Sequence, residues 1–125
     1  MARRVIQCLG YVVALYTELP VYKDTYHLVL IVFDYTKNFP REYKYTLGQD
    51  MKRDALNLLR GIYRANRHKS RAEHLEVFLD EFELLTLEIR LCVEIKLISL
   101  RNQAVLSEIM TRISKQVTGW RNAAR

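Results

Sequence analysis

LEVFLDEFELLTLEIRLC, residues 75–92, decides the fold. Leu75, Phe78, Phe82, Leu85, Ile89 and Cys92 recur at steps of three, four, three, four and three. That spacing stacks side chains on one side of an α-helix, and its alternation forms the seam of a left-handed bundle. A second row, Val77, Leu84, Leu91 and Ile98, runs at sevens beside the first, so the helix is apolar over a broad arc. Such a helix needs neighbours to cover it.

The neighbours are legible on both sides. Upstream, Ser70 followed by Glu73 has the form of a capping box, in which each side chain satisfies a free N–H of the first turn. The connection RHKS before it is short. From Arg41 to Asn66 the apolar residues Tyr43, Leu47, Met51, Ala55, Leu58 and Ile62 recur at steps of four, four, four, three and four. They predict one face of a helix about 39 Å long. Asn38, Phe39 and Pro40 separate it from an earlier helix that Pro20 opens, apolar from Leu28 to Phe33 on more than one side. Downstream, Ser99 suits the cap of a last helix with Val105, Ile109, Ile113, Val117 and Trp120 on one face, Trp120 acting as a plug. The expected helices span about 20–38, 41–66, 70–97 and 99–122 of a single domain, residues 1–125. Only four Gly and two Pro in 125 residues leave little for the turns of a β-protein. The expectation is an all-α, antiparallel up-down four-helix bundle, since short connections make sequential helices antiparallel neighbours.

Residues 1–19 form an N-terminal extension. MARRVIQCLGYVVALY has a basic start and an apolar run, but no small-residue cleavage site follows and the run is too short to span a bilayer. It is expected to be an additional packing element. Cys8 and Cys92 lie 84 residues apart with no Cys-x-x-Cys and no Cys/His cluster, which suggests two reduced thiols in a cytoplasmic protein.

The net charge is +6 and it is segregated. Residues 41–71 carry nine basic and three acidic side chains, whereas residues 72–100 carry two and seven. Arg53, Arg60, Arg64 and Arg67, at steps of seven, four and three, form one stripe, with Lys52, Lys69 and Arg71 near it and Arg41 and Lys44 at the start of the same helix. Arg112 and Lys115 make a smaller pair on the last helix, with Arg121 and Arg125 beyond. A single charged stripe is ordinarily a solvated face. This one is mostly Arg, whose fork matches phosphate, and few acids interrupt it. The acidic row Glu73, Glu76, Asp80 and Glu83 stands on another helix, where it can pair with the basic helix of the same or a neighbouring subunit. The candidate nucleic-acid-binding residues are therefore these basic positions from Arg41 through Arg121, with Tyr45 as a base-stacking candidate and Tyr43 assigned to the core.

Catalytic patterns do not appear. The Glu-x-x-His pairs of di-iron bundles are missing: three residues before His74, His27 and His68 stand Arg71, Asp24 and Ala65. Phosphate-loop, nucleophile-elbow and zinc-protease motifs are absent as well. The expectation is a protein without catalytic residues, metal or cofactor.

ELPVYKDTY (18–26), YTKNFPREYKYTLG (35–48), IYRAN (62–66) and ISKQVTGW (113–120) carry a resemblance. The chain is similar, over roughly residues 15–122, to the bacterial four-helix-bundle proteins of the 23S rRNA intervening-sequence type. Among them it resembles the accessory variability determinants of diversity-generating retroelements most. The resemblance implies a ring-shaped homopentamer that binds template RNA and DNA and associates with the retroelement's reverse transcriptase. It also implies a scaffold for mutagenic copying, with the chemistry residing in the polymerase and no membrane involved. Intervening-sequence relatives imply the alternative, an oligomeric interaction scaffold without a polymerase partner.

Overall fold

In the computed structural model of the chain, which describes residues 5–8, 11–67 and 69–125 with side chains from residue 15 onward, Pro20 opens the first long helix. Expectations attached to Met1–Arg4, to the Cys8 thiol and to His68 fall outside the described residues. Ahead of Pro20, the β-branched segments β1 (Val5–Cys8) and β2 (Tyr11–Ala14) pair antiparallel, with Val5 opposite Ala14 and Cys8 opposite Tyr11. A 3-10 turn, Tyr16–Glu18, leads from this ribbon into α1 (Pro20–Thr36). Then come α2 (Arg41–Lys44), α3 (Leu47–Arg67), α4 (Arg71–Glu94) and α5 (Leu100–Ala124). From Tyr16 onward the described chain is all-α, and the four long helices are α1, α3, α4 and α5.

The helix expected over 41–66 is divided. α2 makes one turn, Tyr45 leaves helical geometry at φ −100° and ψ 6°, and α3 restarts at Leu47. The physical reason is the buried Phe39 beneath the junction. A Cβ on Gly48 would stand 3.3 Å from the Phe39 ring and 3.2 Å from the Tyr43 carbonyl, so the first turn of α3 approaches as closely as a glycine permits. The Thr46 hydroxyl bonds the Glu42 carbonyl at 2.8 Å and ties the two pieces together.

Two caps differ from one another. Ser99 accepts from the Asn102 N–H at 3.1 Å, as its sequence position predicts. Ser70 stands at the N-cap of α4, but its side chain makes no capping bond, its ψ of 49° holding it away from the extended backbone that an N-cap favours. Arg71 works at this junction instead, closing the end of α3 by donating Nε–H to the Ala65 carbonyl at 2.9 Å and an Nη2–H to the Asn66 carbonyl at 3.3 Å. α4 ends in a Schellman turn, with Leu97 N–H bonding the Cys92 carbonyl at 2.7 Å and Lys96 N–H bonding Val93 at 3.1 Å. That turn draws Ile98 into the core, away from the outward row that Val77, Leu84 and Leu91 keep.

α3 packs against α1 and α4, and α5 closes against the same two, which places α3 diagonal to α5. Gly61 meets Phe78 while Met51 meets Cys92, so α3 and α4 are antiparallel. Arg121 reaches Glu76, and Gln116 reaches Asp24, which fixes α5 antiparallel to both neighbours. Leu28, Val32, Leu58, Ile62, Leu75, Phe78, Leu85 and Ile113 fill the centre. Their burial, about 1.5–3 kcal/mol for each large apolar side chain, is the main stabilising contribution. Thr25 and Thr36, buried on α1, return their hydroxyls to the Val21 and Val32 carbonyls at 2.7 and 2.8 Å. On α5 the buried face runs through Leu106, Ile109, Met110, Ile113 and Val117. Val105, expected there, is exposed, and Trp120 packs half-buried at the end.

Candidate nucleic-acid interface

The buried face of α3 is set by Met51, Ala55, Leu58 and Ile62, and helical spacing puts Arg53, Arg60, Arg64 and Arg67 opposite it, all exposed. They form one ridge along the outside of the bundle. Arg53 is partly occupied, since its guanidinium stands 3.4 Å from Asp50 and 3.6 Å from Asp54. Arg60 and Arg64 have no salt bridge among the described residues and line a shallow cleft of about 120 Å³ with Asn57, Val77 and Glu81. Burial raises the Glu81 carboxyl above its ordinary range and Asp54 adds to the rise, with Arg64 and Arg60 opposing it. Arg67 lies over the Tyr63 ring at 5.1 Å and donates to the Tyr63 hydroxyl, which holds the guanidinium flat against α3.

The remaining candidates are distributed over the bundle. Lys52 is half-buried with its ammonium 5.5 Å from the Phe33 ring centre. Lys44 lies 6.0 Å from the Tyr45 ring centre, and Tyr45 is 65% exposed at the α2–α3 junction. Arg41 and Lys69 are exposed at opposite ends of the molecule, since α3 separates them. Arg71 is spent on the α3 carbonyls and stacks on Trp120 at 5.4 Å.

Arg112, Lys115 and Arg121 stand on α5, diagonal to α3, so they share no surface with the middle of the arginine ridge. Arg112 pairs with Asp24 at 3.5 Å. Lys115 is exposed on the rim of a groove of about 570 Å³ between α4 and α5, floored by Phe82, Ile89, Leu106 and Met110. Arg121 and Arg125 converge on Glu76 at 3.5 and 2.6 Å, and the hydrogen bond from Arg125 is the main reason the Glu76 carboxyl is held below its ordinary range. The ridge that stays open is thus Arg60, Arg64 and Arg67, with Arg53 at one end.

Sequence reasoning missed a buried acid pair beside this ridge. Asp54 is 6% exposed on the inner edge of α3, and the Glu88 carboxyl of α4 lies beside it. Burial, then the neighbouring Asp54 carboxyl, push the Glu88 carboxyl up to about 8. The signal was available, because Asp54 sits in sequence between Met51 and Ala55 on the core edge. Next to the pair, the Cys92 thiol is pushed up to about 12, chiefly by burial, and donates to Met51 Sδ at 3.4 Å. A thiol held neutral in this way is a packing group.

No group of three or more His, Cys, Asp or Glu among the described residues is placed to hold a metal ion. Among the same residues no helix is long and apolar enough to cross a membrane. Residues 20–124 match the sequence model described as bAvd-like, which covers α1 to α5 and leaves the N-terminal ribbon outside. No curated protein is significantly similar to the chain.

Proposed function

Since the chain belongs to the bAvd-like family, we propose that it is a non-enzymatic accessory subunit of a diversity-generating retroelement. It binds RNA and DNA, associates with the element's reverse transcriptase, and supports mutagenic cDNA synthesis and retrohoming from the cytoplasm. The working form is a homopentameric ring. The observation that carries this reading is the α3 ridge: three exposed guanidinium groups, Arg60, Arg64 and Arg67, on a helix with five cations and two acids. Guanidinium forks suit phosphate oxygens, and a rigid helix holds them in a row against a backbone of regular charge. Five copies of a chain with net charge +6 would add a long-range attraction for polyanions.

Affinity for a structured RNA, measured against salt, tests the reading. A fall of log affinity with log salt at a slope near −3 or steeper is expected if several phosphates are neutralised. Flat or undetectable binding at low salt overturns it. The intervening-sequence alternative, an interaction scaffold without a polymerase, draws on the acidic and leucine-bearing outer face of α4. Failure of a co-expressed reverse transcriptase to copurify would favour that alternative.

A further inference from the structure

Aromatic side chains join α1 to α3 along one outer edge of the bundle. Tyr22 and Tyr26, one turn apart on α1, hold their rings nearly parallel, at 18° and 6.1 Å between centres. Tyr16 stands edge-on to Tyr22 at 5.3 Å and to Tyr63 of α3 at 5.0 Å, which fastens the rings of the two helices together. Tyr63 in turn carries Arg67, the end of the arginine ridge. Two turns beyond Tyr26, Phe33 lies on the same edge, since Lys52 of α3 places its ammonium 5.5 Å from that ring. Tyr16, Tyr22 and Tyr63 are half-buried, whereas Tyr26 and Phe33 are 49% and 40% exposed and keep ring surface open to a partner. Deepening the nucleic-acid reading given above, on which it rests, we infer that this edge is a stacking strip for unpaired bases. Its preferred ligand is an extended single strand, RNA or DNA, rather than a duplex.

Spacing and charge select that ligand. Seven residues separate Tyr26 from Phe33, about 10.5 Å along the helix axis. Bases stacked in a duplex rise only about 3.4 Å per step, and neighbours cover both faces of each. Two rings this far apart therefore take separate bases of a stretched strand, whose faces are open. Cations border the strip: Lys52 at the Phe33 end and Arg67 at the Tyr63 end, with Arg53, Arg60 and Arg64 following along the outside of α3. Of the two acids on α3, Asp54 is buried and Asp50 lies 3.4 Å from Arg53, so the border is predominantly cationic. The backbone of a strand whose bases lie on the rings meets these cations, as in single-strand binders that set aromatic side chains beside a basic track. Ring faces read no base edge, so the strip accepts any sequence.

The test is fluorescence anisotropy of labelled oligouridine, oligothymidine and a blunt RNA duplex of equal length, titrated with the full-length chain at one salt concentration. The single strands are expected to bind at least about tenfold more tightly than the duplex. Tyr26→Leu/Phe33→Leu keeps apolar side chains that favour a helix and removes only the flat rings. This pair is expected to weaken both single strands at least about tenfold, with duplex affinity, salt slope, helicity and mass as in the wild type. Tyr26→Trp/Phe33→Trp, which restores a ring at each position, is expected to bind single strands as the wild type does. If the leucine pair lowers helicity, the glutamine pair at the same positions replaces it. A loss confined to one of the two single strands keeps the strip and identifies its nucleic acid. Unchanged single-strand affinity in the leucine pair overturns the strip, as does an equal loss for single strand and duplex. A lower mass of that pair by light scattering would assign the rings to contacts between protein chains, and overturns it too. A wild-type chain that prefers the duplex overturns the strip and leaves the arginine ridge standing. One that binds neither form at low salt overturns the nucleic-acid reading as well.

Discussion

Glu88 of α4 and Asp54 of α3 bring their carboxyls together between the two helices, and one oxygen of each, Glu88 Oε1 and Asp54 Oδ2, is buried with no hydrogen-bond partner among the described residues. Two ionised carboxylates held together in that buried position would repel strongly. Arg53 reaches Asp54 Oδ1 at 3.6 Å, and the Glu88 carboxyl, raised chiefly by burial, is the one that keeps a proton. The stability of the α3–α4 contact is therefore linked to pH.

In the unfolded chain Glu88 titrates near its ordinary 4.5, and in the folded chain near about 8. Between these values the folded state binds the extra proton, so the contribution is fully present below the lower value. It is lost as pH rises toward the upper one, with a slope of at most about 1.4 kcal/mol per pH unit. Urea midpoints are expected to fall from pH 5 to pH 8 in the wild-type chain. Glu88→Gln keeps a donor for Asp54 without a titrating group and is expected to flatten that trend. An equally steep fall in the variant would show that other groups cause it.

Lys96 is the one non-glycine residue with positive φ among the described residues, at 67°. It occupies the left-handed position of the Schellman turn, where a Cβ crowds the backbone and glycine is the usual choice. Its side chain is exposed, so its removal costs little packing. Lys96→Gly is expected to raise stability by about 1 kcal/mol, read as an increase in the urea midpoint. An unchanged or lower midpoint would mean that the lysine is held by contacts outweighing the backbone strain.

The glycines of α3 and α5 separate packing from helix propensity. A Cβ at Gly119 meets nothing within 4 Å, and Gly119→Ala is expected to stabilise α5 by about 0.5–1 kcal/mol through propensity alone. A Cβ at Gly61 would press on Phe78 at 3.2 Å, where α3 and α4 approach. Gly61→Ala is expected to gain less than Gly119→Ala, and thermal melts of the two variants side by side decide the order. Equal gains would show that the Phe78 ring shifts without cost.

The four long helices were legible because their apolar steps repeat over many turns, and Leu75 to Cys92 alone required a bundle. Junctions were less legible, because they depend on partners distant in sequence. Phe39 and Gly48 meet across the α2–α3 break, an approach that no local propensity records. Ser70 and Glu73 matched a capping pattern, yet Arg71 closed the preceding helix and the Ser70 side chain stayed out of the cap. The basic stripe was readable as a row, whereas the partners of its members were not. Glu76 takes Arg121 over a separation of 45 residues, a pairing that only the packing of α5 on α4 creates.

That division gives the clearest test of the arginines, because two of them near one end of α3 have different work. Arg64 is exposed and has no salt bridge among the described residues, while Arg71 bonds two carbonyls at the end of α3 and stacks on Trp120. Arg53→Glu/Arg60→Glu/Arg64→Glu is expected to leave helicity intact and to abolish RNA binding at moderate salt. Arg71→Ala is expected to cost about 1–3 kcal/mol of stability, since hydrogen bonds from a charged donor are lost. It should change RNA affinity by no more than the loss of one phosphate contact, about one unit of the salt slope. Denaturant melts and salt titrations on both variants separate the two roles. Unchanged affinity in the triple variant would return the α3 ridge to an ordinary solvated face, and a large affinity loss in folded Arg71→Ala would move the binding surface to the α3–α4 end of the bundle.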